Sequence, residues 1–240
     1  MKVQFKQLLA RLGLRVLREP AGVVMGHDLW RDVGLLLQDS ANPLCIDVGA
    51  NHGEVTASML ALKPTNRIHA FEPSAKCQSL LRTRFGSSSR VTLVASGLGD
   101  EEGAREFLTY TNDQLSSFLP LQTDSGNPFR DEVEVARVQV PVTTLDLYAA
   151  RANLGPIDLL KIDTQGFDLR VLRGAAGLLQ KGQITHVLIE LNFLELYQGQ
   201  ANPAEIIAFL GQHGLHLVDF YEKCRQNQRL GWCTALFRKL

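Results

Sequence analysis

From Pro43 onward the chain alternates short apolar runs with helix-like segments, and few folds accept that rhythm. Leu44-Cys45-Ile46-Asp47-Val48-Gly49 reads as a first buried strand, and Glu54 to Leu62 as a helix closed by Pro64. Arg67 to Glu72 reads as a second strand stopped by Pro73, with Ser74 as the N-cap of a helix running to about Phe85. Val91 to Ala95 supplies a third strand. Strands separated by helices and short connections pair in parallel, and a parallel sheet has to be covered on both faces.

The rhythm breaks between Asp100 and Leu147. Glu106 to Tyr110 and Val133 to Val142 read as strands. Thr111 to Arg130, rich in Ser, Asn, Asp, Gly and Pro, reads as a mobile loop of the kind that covers a substrate. The alternation then resumes. Asp158 to Asp163 is strand-like, Phe167 to Gln180 a single helix, His186 to Leu191 a strand, and Pro203 to His213 a helix. Leu215 to Tyr221 and Ala235 to Phe237 close the chain as two strands.

At 240 residues, with 45% hydrophobic and 21% charged, one α/β domain with trimmings fits better than two cores. The division expected is a helical extension over 1–40 and a main domain over 41–240, carrying an insertion at about 103–142. Lys plus Arg and Asp plus Glu both total 25, and this balance argues against a nucleic-acid partner. No apolar run is long enough to span a membrane. Lys2, Lys6, Arg11, Arg15 and Arg18 alternate with Val3, Leu8, Leu9, Leu12, Val16 and Leu17 at helical spacing. Docking on its own domain is the preferred reading of that helix, with weak peripheral contact to an anionic membrane as the other. Cys45, Cys77, Cys224 and Cys233 show no metal-finger spacing and read as reduced thiols of a cytoplasmic protein; Cys224 and Cys233 flank a hairpin and are close enough in sequence to pair.

Chemistry concentrates at the first strand-to-helix turn, Asp47-Val48-Gly49-Ala50-Asn51-His52-Gly53. In a doubly wound sheet a nucleotide-like ligand lies beyond the carboxyl ends of the strands. Gly49 permits a tight turn close to the ligand, and Gly53 lets the following helix approach the strand. The dinucleotide fingerprint places Gly where Asp47 and Asn51 stand. A carboxylate at Asp47 repels a pyrophosphate and suits a ligand with a cationic amine or sulfonium, which is S-adenosylmethionine. Glu72, at the end of the second strand, is placed to accept hydrogen bonds from ribose hydroxyls.

Together with Phe71-Glu72-Pro73, Thr144-Leu145-Asp146 and the stretch Leu160-Lys161-Ile162-Asp163-Thr164-Gln165-Gly166-Phe167-Asp168-Leu169-Arg170-Val171-Leu172-Arg173-Gly174-Ala175, that turn resembles the FkbM-type methyltransferases over about residues 43–238. The resemblance implies a Rossmann-like class I methyltransferase fold: a mostly parallel seven-stranded sheet with helices on both faces and an antiparallel last strand. It implies S-adenosyl-L-methionine as cofactor and a hydroxyl acceptor on a sugar, glycan or secondary metabolite, while membrane contact through the basic first helix would fit a lipid-linked glycan acceptor. Carried over by position, Asp47, Gly49 and Asn51 line the methionine and ribose side, Glu72 holds the ribose, and Gly53 and Pro73 complete that wall. Ser96 falls near the adenine, and Asp163 beside the methyl group. Where the family wording is Val-Glu-Gly, this chain has Thr164-Gln165-Gly166.

Removal of the hydroxyl proton needs a general base. Asp163 is the first candidate, followed by Glu190 at the end of the fifth strand of the α/β alternation and His52 on the cofactor turn. No metal ligands appear at recognised spacing. Ser116-Ser117-Phe118 is a candidate for substrate contact, and Asp28 and Trp30 are candidates for the mouth of the pocket or for packing. The competing readings are an NAD-dependent oxidoreductase, opposed by Asp47, and a non-catalytic module that keeps the cofactor as a ligand.

Overall fold

The computed structural model describes residues 25–124 and 126–240. The basic N-terminal segment read as a helix over residues 1–18 lies outside them. Helices are α1 (Leu29–Leu36), α2 (Glu54–Leu62), α3 (Ala75–Phe85), α4 (Leu145–Arg151), α5 (Asp168–Arg173), α6 (Ala176–Gln180) and α7 (Pro203–Gln212). Strands are β1 (Leu44–Val48), β2 (Arg67–Phe71), β3 (Val91–Val94), β4 (Gly97–Leu98), β5 (Gly103–Tyr110), β6 (Glu134–Thr143), β7 (Leu159–Ile162), β8 (His186–Asn192), β9 (Leu215–Gln226) and β10 (Arg229–Lys239).

Among the described residues the main sheet has seven strands in the order β3-β2-β1-β7-β8-β10-β9. It is parallel from β3 to β8, and β10, the last strand of the chain, inserts antiparallel between β8 and β9. Side chains of a strand alternate between faces, so one residue of each pair feeds each core layer. Cys45, Leu159, Leu188 and Leu236 pack with Leu29 and Val33 of α1 and Met59 of α2. Their neighbours Ile46, Leu160, Ile189 and Phe237 pack on the opposite face with residues of α4 to α7, including Leu145, Leu172, Leu179 and Leu210. Every residue of β1 is buried, as a strand covered on both faces must be.

Two elements differ from their sequence-based expectation. The single helix expected over 167–180 is two, because Gly174 packs against the backbone of Gly99, where a Cβ would come within 1.9 Å of the carbonyl oxygen. The Asp146 carboxylate then accepts from Gly177 N (2.8 Å) and Leu178 N (2.9 Å), capping a fresh helix start. The closing strands are longer than expected. They form a hairpin whose two-residue turn, Asn227-Gln228, has φ of 48° and 65°, the sign pattern of the turn that matches strand twist. Its outer half is polar and exposed, which an antiparallel pair tolerates. All four cysteines are free thiols.

The insertion folds as a second sheet in the order β4-β6-β5. Its connecting loop, over 111–130, makes contacts with the rest of the chain. Ser117 pairs with Leu108 through both backbone hydrogen bonds, at 2.8 and 3.0 Å. The Asn127 side chain donates to Gln122 O and, at 3.0 Å, to Leu196 O, and Leu115 and Leu121 are buried. This sheet stands over the carboxyl edge of the main sheet, where the loops after β1, β2, β7 and β8 converge. Among the described residues no helix is long and apolar enough to cross a membrane.

Candidate active site

A cavity of about 400 Å³ lies between that carboxyl edge and the insertion. At one end the backbone does the shaping. Gly49 takes φ 76° and passes so close to the β7 loop that a Cβ would lie 2.0 Å from the Asp163 carbonyl oxygen. Asn51, at φ 46°, turns its N–H onto Glu72 Oε2 (2.8 Å), while Ser74 N donates to Glu72 Oε1 (2.8 Å). Burial pushes the Glu72 carboxyl up from its ordinary range, and these two backbone bonds offset only part of that. Glu72 lines the cavity with acceptor capacity to spare on both oxygens.

At the other end side chains hold one another. Asp47 and Lys161 are cross-strand partners, as are Glu190 and Thr234, so a polar row caps the apolar layer beneath α1 and α2. Lys161 Nζ sits 3.1 Å from Asp47 Oδ1, 2.9 Å from Gly49 O and 3.9 Å from Asp163 Oδ2. Burial alone would lower its pKa; Asp47 and Asp163 more than offset this, so the ammonium persists. Asp47 also accepts from Thr56 Oγ1 at 2.6 Å.

Gln165 joins the two candidate carboxylates. Its Nε2 donates to Asp163 Oδ1 (2.7 Å) and Glu190 Oε2 (3.2 Å), while its Oε1 accepts from the Tyr197 hydroxyl (2.8 Å). The backbone of Gln165 is at φ 55°, a conformation enforced by its surroundings. Ser117 Oγ donates to Gln165 O, and Asp168 accepts from Thr164 N and Gly166 N, so the whole turn is clamped. Burial and then the nearby Asp163 push the Glu190 carboxyl well above its ordinary range, and Asn192 and Lys161 only partly restrain it. Asp168 is pushed up to about 6, mainly by burial.

Of the residues singled out from sequence, Gly49, Asn51, Glu72, Pro73, Asp163 and Glu190 line this cavity. Four others stand elsewhere. Asp47 is fully buried beneath Lys161, since a carboxylate on that strand face meets the ammonium before any ligand. Gly53 faces Leu81 and Phe85 of α3. The Ser96 hydroxyl turns to Gly97 O and Pro141 O, leaving Gly97 and Leu98 on the wall. His52 Nε2 is engaged by Asp113 Oδ2 at 3.1 Å, and Lys76 reaches the same oxygen at 2.6 Å. Ser116 and Phe118 line the cavity, whereas Ser117 serves the Gln165 turn. Asp28 caps α1 through Arg31 N.

His52, Cys77 and Asp113 bring three donor atoms within 4.8 Å of one another. Burial pushes the Cys77 thiol up to about 11, and the Lys76 ammonium already occupies the carboxylate, so no metal is assigned there. Sequence reasoning passed over Gln165 as a clamp, Tyr197 as its anchor, and Asn192 and Trp232 as wall residues. The departure from Val-Glu-Gly at 164–166 was the one signal that pointed to Gln165.

The lining also tests the ligand. Among the described residues the lining carries the carboxylates Glu54, Glu72, Asp113, Asp163 and Glu190 and the ammonium of Lys161, already engaged by Asp47; from outside the lining Lys76 pairs with Asp113 and Arg84 with Glu54. A pyrophosphate is ill-suited to that field, while a sulfonium beside an ammonium group suits it. Residues 47–217 match the methyltransferase FkbM domain. The chain is 26% identical over 200 residues to the 2-O-methyltransferase NoeI of Sinorhizobium fredii, covering 81% of this chain and 80% of that one. It is 30% identical over 141 residues to Methyltransferase 1 of Beauveria bassiana, covering 54% of this chain and 57% of that one. The crystal structure of an rRNA methylase from Streptococcus thermophilus shares the fold with TM-score 0.51 at 11% identity, over 91% of this chain and 99% of that one.

Proposed function

The chain belongs to the FkbM methyltransferase family, and from that premise we propose that it methylates a hydroxyl oxygen of a small acceptor, a glycan or secondary metabolite. It is an S-adenosylmethionine-dependent methyltransferase. The observation that carries the choice of oxygen is the Asp163–Gln165–Glu190 clasp, a held carboxylate pair suited to taking a hydroxyl proton. The name of the Sinorhizobium relative, a 2-O-methyltransferase, supports the same choice.

When bound, S-adenosylmethionine supplies a methyl group on a sulfonium that leaves as a neutral thioether. In this reading Glu72 accepts from the ribose hydroxyls, and Gly49, Asn51 and Pro73 form the adjoining wall. Asp163 and Glu190 orient the acceptor hydroxyl, and one of them takes its proton as the oxygen bonds to the methyl carbon. Fixing the two reactants in line supplies roughly 7–11 kcal/mol of barrier reduction, which makes positioning the main task. Lys161 keeps the pair from being three uncompensated carboxylates with Asp47. Residues 1–40 are read as an extension to a catalytic domain over 41–240. Four free cysteines, three of them buried, support a reducing, cytoplasmic setting.

Calorimetric titration with S-adenosylhomocysteine, beside NAD and ATP, tests the cofactor. The expected result is micromolar binding of S-adenosylhomocysteine alone, lost in Glu72→Ala. Labelled methyl transfer into hydroxylated acceptors tests the chemistry, and transfer only to nitrogen or carbon acceptors would overturn the oxygen assignment.

A further inference from the structure

Behind the carboxylate pair lies a second, smaller cavity of about 190 Å³. It is walled by Trp30 of α1, Val55 and Ser58 of α2, Glu222 of β9 and Thr234 of β10. Glu54, Val55, Lys161, Asp163 and Glu190 line both cavities, so the two meet at the polar row. Asp163 and Glu190 therefore border both cavities.

The outer wall of the smaller cavity is built with care. Between the pairs Trp232–Cys224 and Thr234–Tyr221 the hairpin strand β9 carries one extra residue. Such bulges re-aim side chains beside functional sites. Glu222, inside this bulge, is held at φ 48°, where a non-glycine residue is disfavoured, and its Oε2 accepts from Thr234 Oγ1 at 2.8 Å. The facing wall is equally fixed: Tyr221 Oη and Gly26 N both donate to Asp32 Oδ2, at 2.9 and 2.6 Å, tying α1, and with it Trp30, to β9.

We propose that this smaller cavity receives the hydroxyl-bearing end of the acceptor as an uncharged group about one ring in size, with Trp30 as its flat wall. The larger cavity is then left to the cofactor. This rests on the methyltransferase reading above and deepens it. The smaller cavity falls below the roughly 300–1,000 Å³ of a whole drug-sized ligand site, so it takes one end of a molecule. Leu29, Val55 and Leu188 give it apolar faces suited to the edges of a ring, and Ser58 and Thr234 give it hydroxyls. Among the described residues its charged lining is Glu54, Asp163, Glu190 and Glu222 against Lys161, a balance that turns away a phosphate or carboxylate at this end of the acceptor.

The chain's two tryptophans report separately, because Trp30 lines the smaller cavity and Trp232 the larger. In the Trp30→Phe protein, S-adenosylhomocysteine is expected to give a saturable shift in the emission of Trp232. In the Trp232→Phe protein saturated with S-adenosylhomocysteine, methyl α-glucopyranoside and cyclohexane-1,2-diol are expected to shift the emission of Trp30. Glucose 6-phosphate should bind more than tenfold more weakly than the methyl glycoside. Neutral probes that shift Trp232 in the Trp30→Phe protein but leave Trp30 unmoved in the Trp232→Phe protein, or that move neither tryptophan, overturn the assignment while leaving the cofactor reading intact. Equal binding of the phosphorylated probe overturns the exclusion of anions. Failure of S-adenosylhomocysteine to bind either protein by calorimetry overturns the cofactor reading and this inference with it.

Discussion

The two ends of the larger cavity are built by opposite means. At the β1–β2 end a single carboxylate, Glu72, is held by main-chain N–H groups of Asn51 and Ser74. At the β7–β8 end three carboxylates, one ammonium and one amide hold each other through side chains. A backbone cradle survives most changes of its own side chains, because main-chain donors are set by turn geometry. A side-chain network shares its charges, and removing one member leaves the others buried and unbalanced. The difference suits the division of labour proposed here, in which one end binds a constant cofactor and the other tunes proton transfer.

The sharpest way to break the comparison is Lys161→Met. Asp47 would be left fully buried without its counter-charge, which typically costs about 3–5 kcal/mol. Urea unfolding should show that loss, and pairing the change with Asp47→Asn should recover much of it. A loss below about 1 kcal/mol would mean the row is not electrostatically coupled. Next in size is Glu190→Gln, expected to lower kcat on the order of a hundredfold with S-adenosylhomocysteine affinity nearly unchanged. A base works only when deprotonated, so kcat of the parent protein should rise with pH through a limb above the ordinary carboxylate range, as the raised pKa of Glu190 requires. The limb should vanish in Glu190→Gln. Gln165→Glu replaces the two donated bonds with a third negative charge and should move the limb to higher pH. An unmoved limb would show that Gln165 does not govern the pair. At the backbone end, Glu72→Ala should weaken S-adenosylhomocysteine by about 1–3 kcal/mol in calorimetry, the cost of unpairing hydrogen-bonded polar groups.

The same contrast explains what could be read from sequence. The parallel core was legible because Leu44–Val48, Arg67–Phe71, Leu159–Ile162 and His186–Asn192 are short apolar runs separated by helices. Glu72, Gly49 and Asn51 were legible because backbone-shaped turns demand particular residues at fixed spacing. Asp47 was read as facing the ligand because strand alternation gives its face but not its cross-strand partner. Only the pairing of β1 with β7 sets Lys161 over it. Gln165, Tyr197 and Ser117 come from three separate segments and meet only once the insertion folds over the sheet. The strands of the insertion were legible, but the contacts of its loop were not, because Leu115, Leu121 and Asn127 find their partners elsewhere in the chain. Trp30 was legible as a pocket-mouth or packing residue, but the cavity it lines was not, since that depends on the bulge in β9.

The smallest effect sharpens the comparison most directly. Ser74 serves Glu72 through its backbone N–H at 2.8 Å, while its hydroxyl caps α3 through a long contact of 3.5 Å to Cys77 N. Ser74→Ala removes the second and keeps the first. Loss of a cap typically costs about 0.5–2 kcal/mol, and the length of this contact places it at the low end. The variant should therefore lose roughly half a kcal/mol in urea unfolding and bind S-adenosylhomocysteine as the parent does. A fall in affinity comparable to that of Glu72→Ala would mean that the hydroxyl, not the main chain, holds the carboxylate in place. The two ends of the cavity would then be built alike.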